Sequence, residues 1–140
     1  MKIFNNNNKG FMIVEVLVAA SIITASVLAA LAVAQKSIYV SRQAFHSSQA
    51  AFLLEEGAEN ARIARDNAWN NLSGLNSSEQ IGIFTRTVRA AVAYRDGNGN
   101  LSETGTAEDR TKLINVTVSW QEGGQTIIKS LSFYLSDIFS

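Results

Sequence analysis

The sequence predicts an α+β protein in which one long N-terminal helix packs on a C-terminal antiparallel β-sheet. Three observations lead there. Residues Phe11 to Ala34 form a run of 24 residues that carries a single charge, Glu15. The 140-residue chain contains no proline, so no residue in it forces a helix to kink or stop. Beyond Ile81 the apolar residues change from three- and four-residue steps to alternate positions, the period of a half-buried strand.

The first element is a short polar leader, "MKIFNNNNKG", with its positive charge at Lys2 and Lys9. It is too short to fold alone. The apolar run follows, and at a rise of 1.5 Å per residue it spans roughly 36 Å, enough to cross the hydrocarbon core of a bilayer. Lys36 and Arg42 are the first charges after it. Flanking positive charge is therefore nearly balanced, and orientation follows from mass: the N-terminus is expected in the cytoplasm and the rest of the chain on the exported side.

Glu15 is the anomaly of the run. A carboxylate at bilayer depth costs a few kcal/mol on insertion scales, and such a residue implies a function and a partner. An ordinary secretory signal is one explanation, with "ALAVAQ" offering Ala32 and Ala34 to a signal peptidase that cuts before Gln35. The apolar stretch is about twice the usual length for such a signal, and the carboxylate does not belong in one.

The other explanation lies in "KGFMIVE". This stretch resembles the class III signal of type IV pilins and pseudopilins, in which Gly and Phe are followed by Glu at the fifth mature position. The resemblance implies that a prepilin peptidase cuts between Gly10 and Phe11 and methylates the new amine of Phe11. The apolar run then stays in the mature chain. It also implies that Glu15 serves filament assembly. A cationic amine buried among apolar neighbours needs a counter-charge, and a carboxylate one helical turn away supplies it within or between subunits. The implied partners are the peptidase, other pilin or pseudopilin subunits, an inner-membrane assembly platform and membrane lipid. The implied location is the cytoplasmic membrane of a prokaryote, crossed once, and then a pilus or pseudopilus on the exported side.

After Gln35 the sequence remains helix-like, with one glycine and many Ala, Leu, Gln, Glu and Arg. Leu53, Leu54, Ala58, Ala61, Ala64 and Ala68 define one apolar face of small residues, suited to close packing on a sheet. Glu59 with Arg62, and Arg62 with Asp66, are expected as surface pairs. "LLEEGAENARIARDNAW" also resembles the helix end of minor pilins. One helix over residues 11 to about 68 would measure roughly 85 Å. Many pilins break this helix with proline at the twenty-second mature position; here Ala32 stands there, a departure that fits minor pilins and pseudopilins.

"NNLSGLNSSEQ" reads as a loop. The strands come next. Phe84, Val88, Ala90, Val92 and Tyr94 alternate, with Arg86 as the exception. Ile114, Val116, Val118 and Trp120 alternate cleanly, and Ile127, Leu131, Phe133 and Leu135 form a third set. "QEGGQ" marks a hairpin turn between the last two. At least three antiparallel strands on the helix account for these faces, and the resemblance implies the type IV pilin fold. The expected division is a leader at 1–10, a membrane and filament-core helix at 11–34, its amphipathic continuation at 35–70 and a sheet head at 71–140.

Other chemistry is excluded or disfavoured. Lys+Arg and Asp+Glu number 12 each, so the basic excess of a nucleic-acid binder is missing. No cysteine is present, which removes disulfides and thiolate metal sites. The single histidine, His46, sits in the polar stretch "SRQAFHSSQ" and is expected to be solvated. Asp96, Asn98 and Asn100 have the spacing of the first three ligands of a calcium loop, and some pseudopilins bind calcium in this region. Leu101 and Ala107 occupy the positions where that loop needs Gly and Glu, so no metal or cofactor is expected. With no nucleophile–base pair or phosphate loop, no enzyme is expected either. "NLS" and "NVT" match glycosylation sequons, which a prokaryotic signal makes irrelevant. The readings that compete with a filament subunit are a secreted soluble protein cut after Ala34 and a single-span anchored protein that never polymerises.

Overall fold

The computed structural model describes residues 8–138 of the chain, and the side chains of residues 11–138. The architecture is α+β, with the element order α1 (Asn8–Asn67), a 3-10 turn (Trp69–Leu72), β1 (Asn76–Ile81), β2 (Phe84–Arg95), β3 (Leu101–Ser102), β4 (Thr106–Glu122) and β5 (Gln125–Ser136). The chain divides into two compact units, Met1–Ala44 and Phe45–Ser140.

In the first unit every residue from Phe11 to Ile38 is exposed. Large apolar side chains such as Ile13, Leu17, Ile22, Leu28 and Leu31 are each more than half exposed. The helix is long and apolar enough to cross a membrane. Its hydroxyls are accommodated internally. Ser21, Thr24 and Ser26 each donate to the carbonyl four residues back, at 2.7, 2.7 and 2.8 Å, so these donors present no unmet polar group to an apolar surrounding. Near the end of this unit the Lys36 ammonium lies 5.3 Å from the centre of the Tyr39 ring, a cation–π contact of the kind that suits a boundary between apolar and aqueous phases.

The second unit is the folded head. Here α1 buries Ala50, Leu54, Gly57, Ala58 and Ala61, at the three- and four-residue steps that put side chains on one face. Against them lie Phe84 and Val88 of β2, Ile114, Val116, Val118 and Trp120 of β4, and Leu135 of β5. A β-carbon at Gly57 would stand 2.7 Å from Val116 Cγ1 and 3.3 Å from both Arg86 Cδ and Val88 Cγ2. Glycine at this position is therefore a packing requirement. Arg62 pairs with Glu59 at 3.1 Å as expected, and its guanidinium also lies 5.4 Å from the Phe133 ring centre. Asp66 is engaged instead by its neighbour Arg65, at 2.8 Å.

The helix ends where Ala68 turns to an extended backbone, φ −169° and ψ 132°. Ala68 is thus exposed and outside the packed face assigned to it. The 3-10 turn that follows inserts Leu72 into the core at full burial.

The sheet is wholly antiparallel, in the order β1-β2-β4-β5, with β3 added beside β2. β1 corrects the reading of residues 76–80 as loop. "NSSEQI" has no apolar alternation because it is an edge strand, held by backbone pairing with β2. β2 brings a second correction. Its register with β4 shifts between Val92 and Ala93, so the faces exchange: Ala93 is 1% exposed while Val92 is 43% exposed. A bulge reverses the parity of every later side chain, which an alternating pattern alone does not reveal. β4 and β5 are joined through Gly123 and Gly124, both with positive φ, 59° and 79°, as a two-residue hairpin turn of type I′ requires.

A Gly57→Val substitution tests the close approach of helix and sheet. Overpacking of a filled core costs about 1–3 kcal/mol, and chemical denaturation of the full chain in detergent micelles should register that loss. A variant as stable as the parent would show that the helix can lift from Val116 freely.

Candidate functional site

Two groups of residues deserve a chemical reading: the head of the apolar helix and the polar cluster inside the folded head. Gly10 lies within α1, although residues 1–7 of the expected leader fall outside the described residues. Phe11 is 84% exposed. Glu15 is exposed as well and makes no hydrogen bond or ion pair with another described residue. The two stand four residues apart on one helix, which puts them on the same face, separated by about 6 Å along the axis. The arrangement is a single carboxylate on an apolar surface, one turn from the Gly10–Phe11 bond.

In the head, Arg86 is the residue that broke the strand alternation. It points inward and is 5% exposed. Its two guanidinium nitrogens reach Glu56 of α1 at 3.1 Å and Glu79 of β1 at 2.8 Å. An inward arginine on a strand requires a carboxylate, and the Glu55–Glu56 pair on the helix is the sequence signal that could have located one. The neighbour from β1 was not legible, since that strand was not.

His46 is also placed differently from expectation. Its side chain is 19% exposed, with Nδ1 3.4 Å from Oε1 of the buried Glu122. The other Glu122 oxygen accepts a hydrogen bond from Trp120 Nε1 at 3.0 Å. The imidazole stands edge-on to the Phe84 ring, 6.1 Å between centroids, and Phe84 in turn packs on Trp120 at 5.5 Å. His46 is thus a packed residue tying α1 to the end of β4. A groove of about 560 Å³ opens beside it, walled mainly by Phe52, Leu53, Ile83 and Phe84.

The loop with calcium-like spacing is closed on itself. Asp96 Oδ1 accepts hydrogen bonds from the backbone amides of Asn98 at 2.9 Å and Asn100 at 2.8 Å. These bonds, the one from Asn100 foremost, hold the Asp96 carboxyl below its ordinary value. At the loop's far side Arg95 Nε donates to Glu108 at 2.5 Å, and that bond is the main cause of a lowered value at Glu108. Among the described residues no three His, Cys, Asp or Glu side chains gather as a metal site.

No family model matches the chain, and neither a curated protein nor a solved structure does.

Two expectations follow from the head. Glu56→Gln combined with Glu79→Gln leaves the Arg86 cation buried without a counter-charge, and the stability of the full chain should fall by about 3 kcal/mol. Arg86→Met, which removes the charge and retains the volume, should cost clearly less; equal losses would mean that packing, not charge, holds Arg86. For the loop, the lowered carboxyls of Asp96 and Glu108 stabilise the folded arrangement above their unfolded values, and that contribution fades as pH falls through the folded ones. Amide exchange at Asn98 and Asn100, corrected for its intrinsic pH dependence, should stay slow from neutral pH down to roughly pH 4 and quicken below it. Asp96→Ala should give fast exchange at every pH.

Proposed function

We propose that the protein is a prepilin-like structural subunit, a minor pilin or pseudopilin, that is processed at Gly10–Phe11 and assembled into a filament. The observation that carries this reading is the lone Glu15 on an exposed apolar helix, one turn from Phe11. An isolated anchor gains nothing from a carboxylate in its first turns and bears its insertion cost. A processed chain gains a partner for it, because cleavage after Gly10 creates a cationic amine at Phe11. In a bundle of such helices the amine of one subunit and Glu15 of the same or a neighbouring subunit neutralise each other.

The exposed apolar surface of residues 11–34 supports the same reading. It needs lipid before assembly and other helices after it. The α+β head, with a helix laid on an antiparallel sheet, agrees with a pilin head in its coarse architecture. In the assembled state the helices form the core and the heads face outward. Extraction from the membrane is then an exchange of one apolar surrounding for another, so burial alone does not drive it strongly; the amine–carboxylate pair adds direction and register. The proposed role is structural, with no reaction catalysed by the chain itself.

Substitutions at the two positions separate processing from assembly. Gly10→Val should block the cut, and mass spectrometry should find the leader retained. Normal maturation of that variant would remove the peptidase from the account. Glu15→Val should insert in the membrane and be cut as usual, since its run is only more apolar. Its entry into sheared filaments should fall several hundredfold, because one buried charge left unmatched costs roughly 3–5 kcal/mol. The methylation state of Phe11 should be read in the same spectra, so that loss of the methyl group is not mistaken for loss of docking. Wild-type levels of Glu15→Val in filaments would refute the charge-pair mechanism.

A further inference from the structure

The sheet has two faces, and the one turned away from the helix carries a regular neutral array. Cross-strand register places Ser78, Thr87, Thr117 and Ser130 in one row across β1, β2, β4 and β5. The next row is Asn76, Arg89, Asn115 and Ser132, and on the other side lie Gln80, Thr85, Ser119 and Ile128. Across these three rows the one charged residue is Arg89. A merely solvated face usually mixes Lys, Arg, Glu and Asp, and charge on a sheet protects it from unwanted association. This face carries Arg89 alone across the three rows.

The array is also held in place. Ser78 and Thr87 hydroxyls meet at 3.4 Å, Thr85 donates to Gln80 at 3.1 Å, Arg89 donates to Asn76 at 3.0 Å, and Ser132 donates to Asn115 at 2.6 Å. Side chains already fixed lose little freedom on binding. Strand geometry spaces them about 4.8 Å across the sheet and about 6.8 Å along it. Beside the Asn115–Ser132 pair, one row further on, stands Leu113 opposite Tyr134. The Tyr134 side chain is on the same face and 39% exposed.

We propose that this outer face binds a neutral polysaccharide surface. A pyranose chain presents hydroxyl groups at sub-nanometre intervals along its edges and a C–H face between them. The hydroxyl and amide rows match the first, as donors and acceptors with Arg89 the single charge to desolvate. Leu113 and Tyr134 match the second, by apolar contact and stacking. A polyanion would need more cations than Arg89, and a lipid surface would need a larger apolar patch. The proposal concerns the head alone and does not rest on the filament reading.

Co-sedimentation tests it, using the full chain in detergent micelles and microcrystalline cellulose as the probe. The protein should pellet with the polysaccharide and remain bound in high salt, which screens charge and leaves neutral contacts. Thr87→Val with Thr117→Val keeps the β-branched shape and removes two central hydroxyls; apparent affinity should drop at least about tenfold. Tyr134→Ala should weaken binding similarly. Circular dichroism checks the fold of each variant, and Ser130→Glu, on the exposed β5, replaces the valine pair if that pair fails to fold. The proposal is overturned if the parent pellets no more than without cellulose, if high salt releases it, or if folded variants bind as the parent does.

Discussion

The approach of α1 to the middle of the sheet at Gly57 is the constraint on which the head is built. A helix backbone this close to Val116 leaves no room for a side chain at Gly57, and Ala50, Ala58 and Ala61 keep its surroundings small, with Leu54 the one larger buried residue of α1. Bulk must then come from the sheet side, and it does: Ile114, Val116, Val118 and Trp120 supply it from β4, the long central strand. Small residues on one partner and large ones on the other let two surfaces interdigitate without voids. The same close contact explains why the end of the helix needs a separate plug. Once α1 stops at Asn67, its small-residue face no longer covers the sheet, and Leu72 from the 3-10 turn closes that end.

Close packing also forces two charged groups into partly dry surroundings, and each stands beside a specific partner. Arg86 sits beside Gly57, where its aliphatic stem packs on the helix and its guanidinium reaches between Glu56 and Glu79. The two carboxylates are themselves largely exposed, so the desolvation cost falls mainly on the arginine. Glu122 is the mirror case, a buried carboxylate that accepts a hydrogen bond from Trp120 Nε1 and stands beside His46 Nδ1 at 3.4 Å. These contacts act as a registry. Slipping β2 or β4 by one residue would turn Arg86 or Glu122 to the wrong face and leave its partners behind.

The apolar first half of α1 obeys the opposite rule. The head meets its packing demands within the chain, whereas residues 11–34 stand exposed, an apolar surface compatible with a membrane span. Hydroxyls turned back onto the helix remove the small polar costs of that surrounding. Glu15 is the one that cannot be hidden in this way, because a carboxylate accepts hydrogen bonds and the helix has no spare donor at that depth.

Much of this was determined locally and could be read from the sequence. The apolar run, its lone carboxylate, the alternation of Ile114 to Trp120 and the Gly123–Gly124 turn depend on residue type and spacing, and they carry the α+β class and the candidate residues Gly10, Phe11 and Glu15. Tertiary structure decided what periodicity cannot carry. β1 has polar residues on both faces and exists through backbone pairing with β2. The exchange of faces at Val92 and Ala93 comes from a bulge set by the partner strand. The inward position of Arg86 is tolerable because Glu56 and Glu79 arrive from two other elements, and His46 is packed because Phe84, Trp120 and Glu122 surround it. The neutral rows on the outer face likewise exist only once four strands are in register. Spacing along the chain determines which face a residue occupies within its own element; which residues meet across elements is settled by register and close packing.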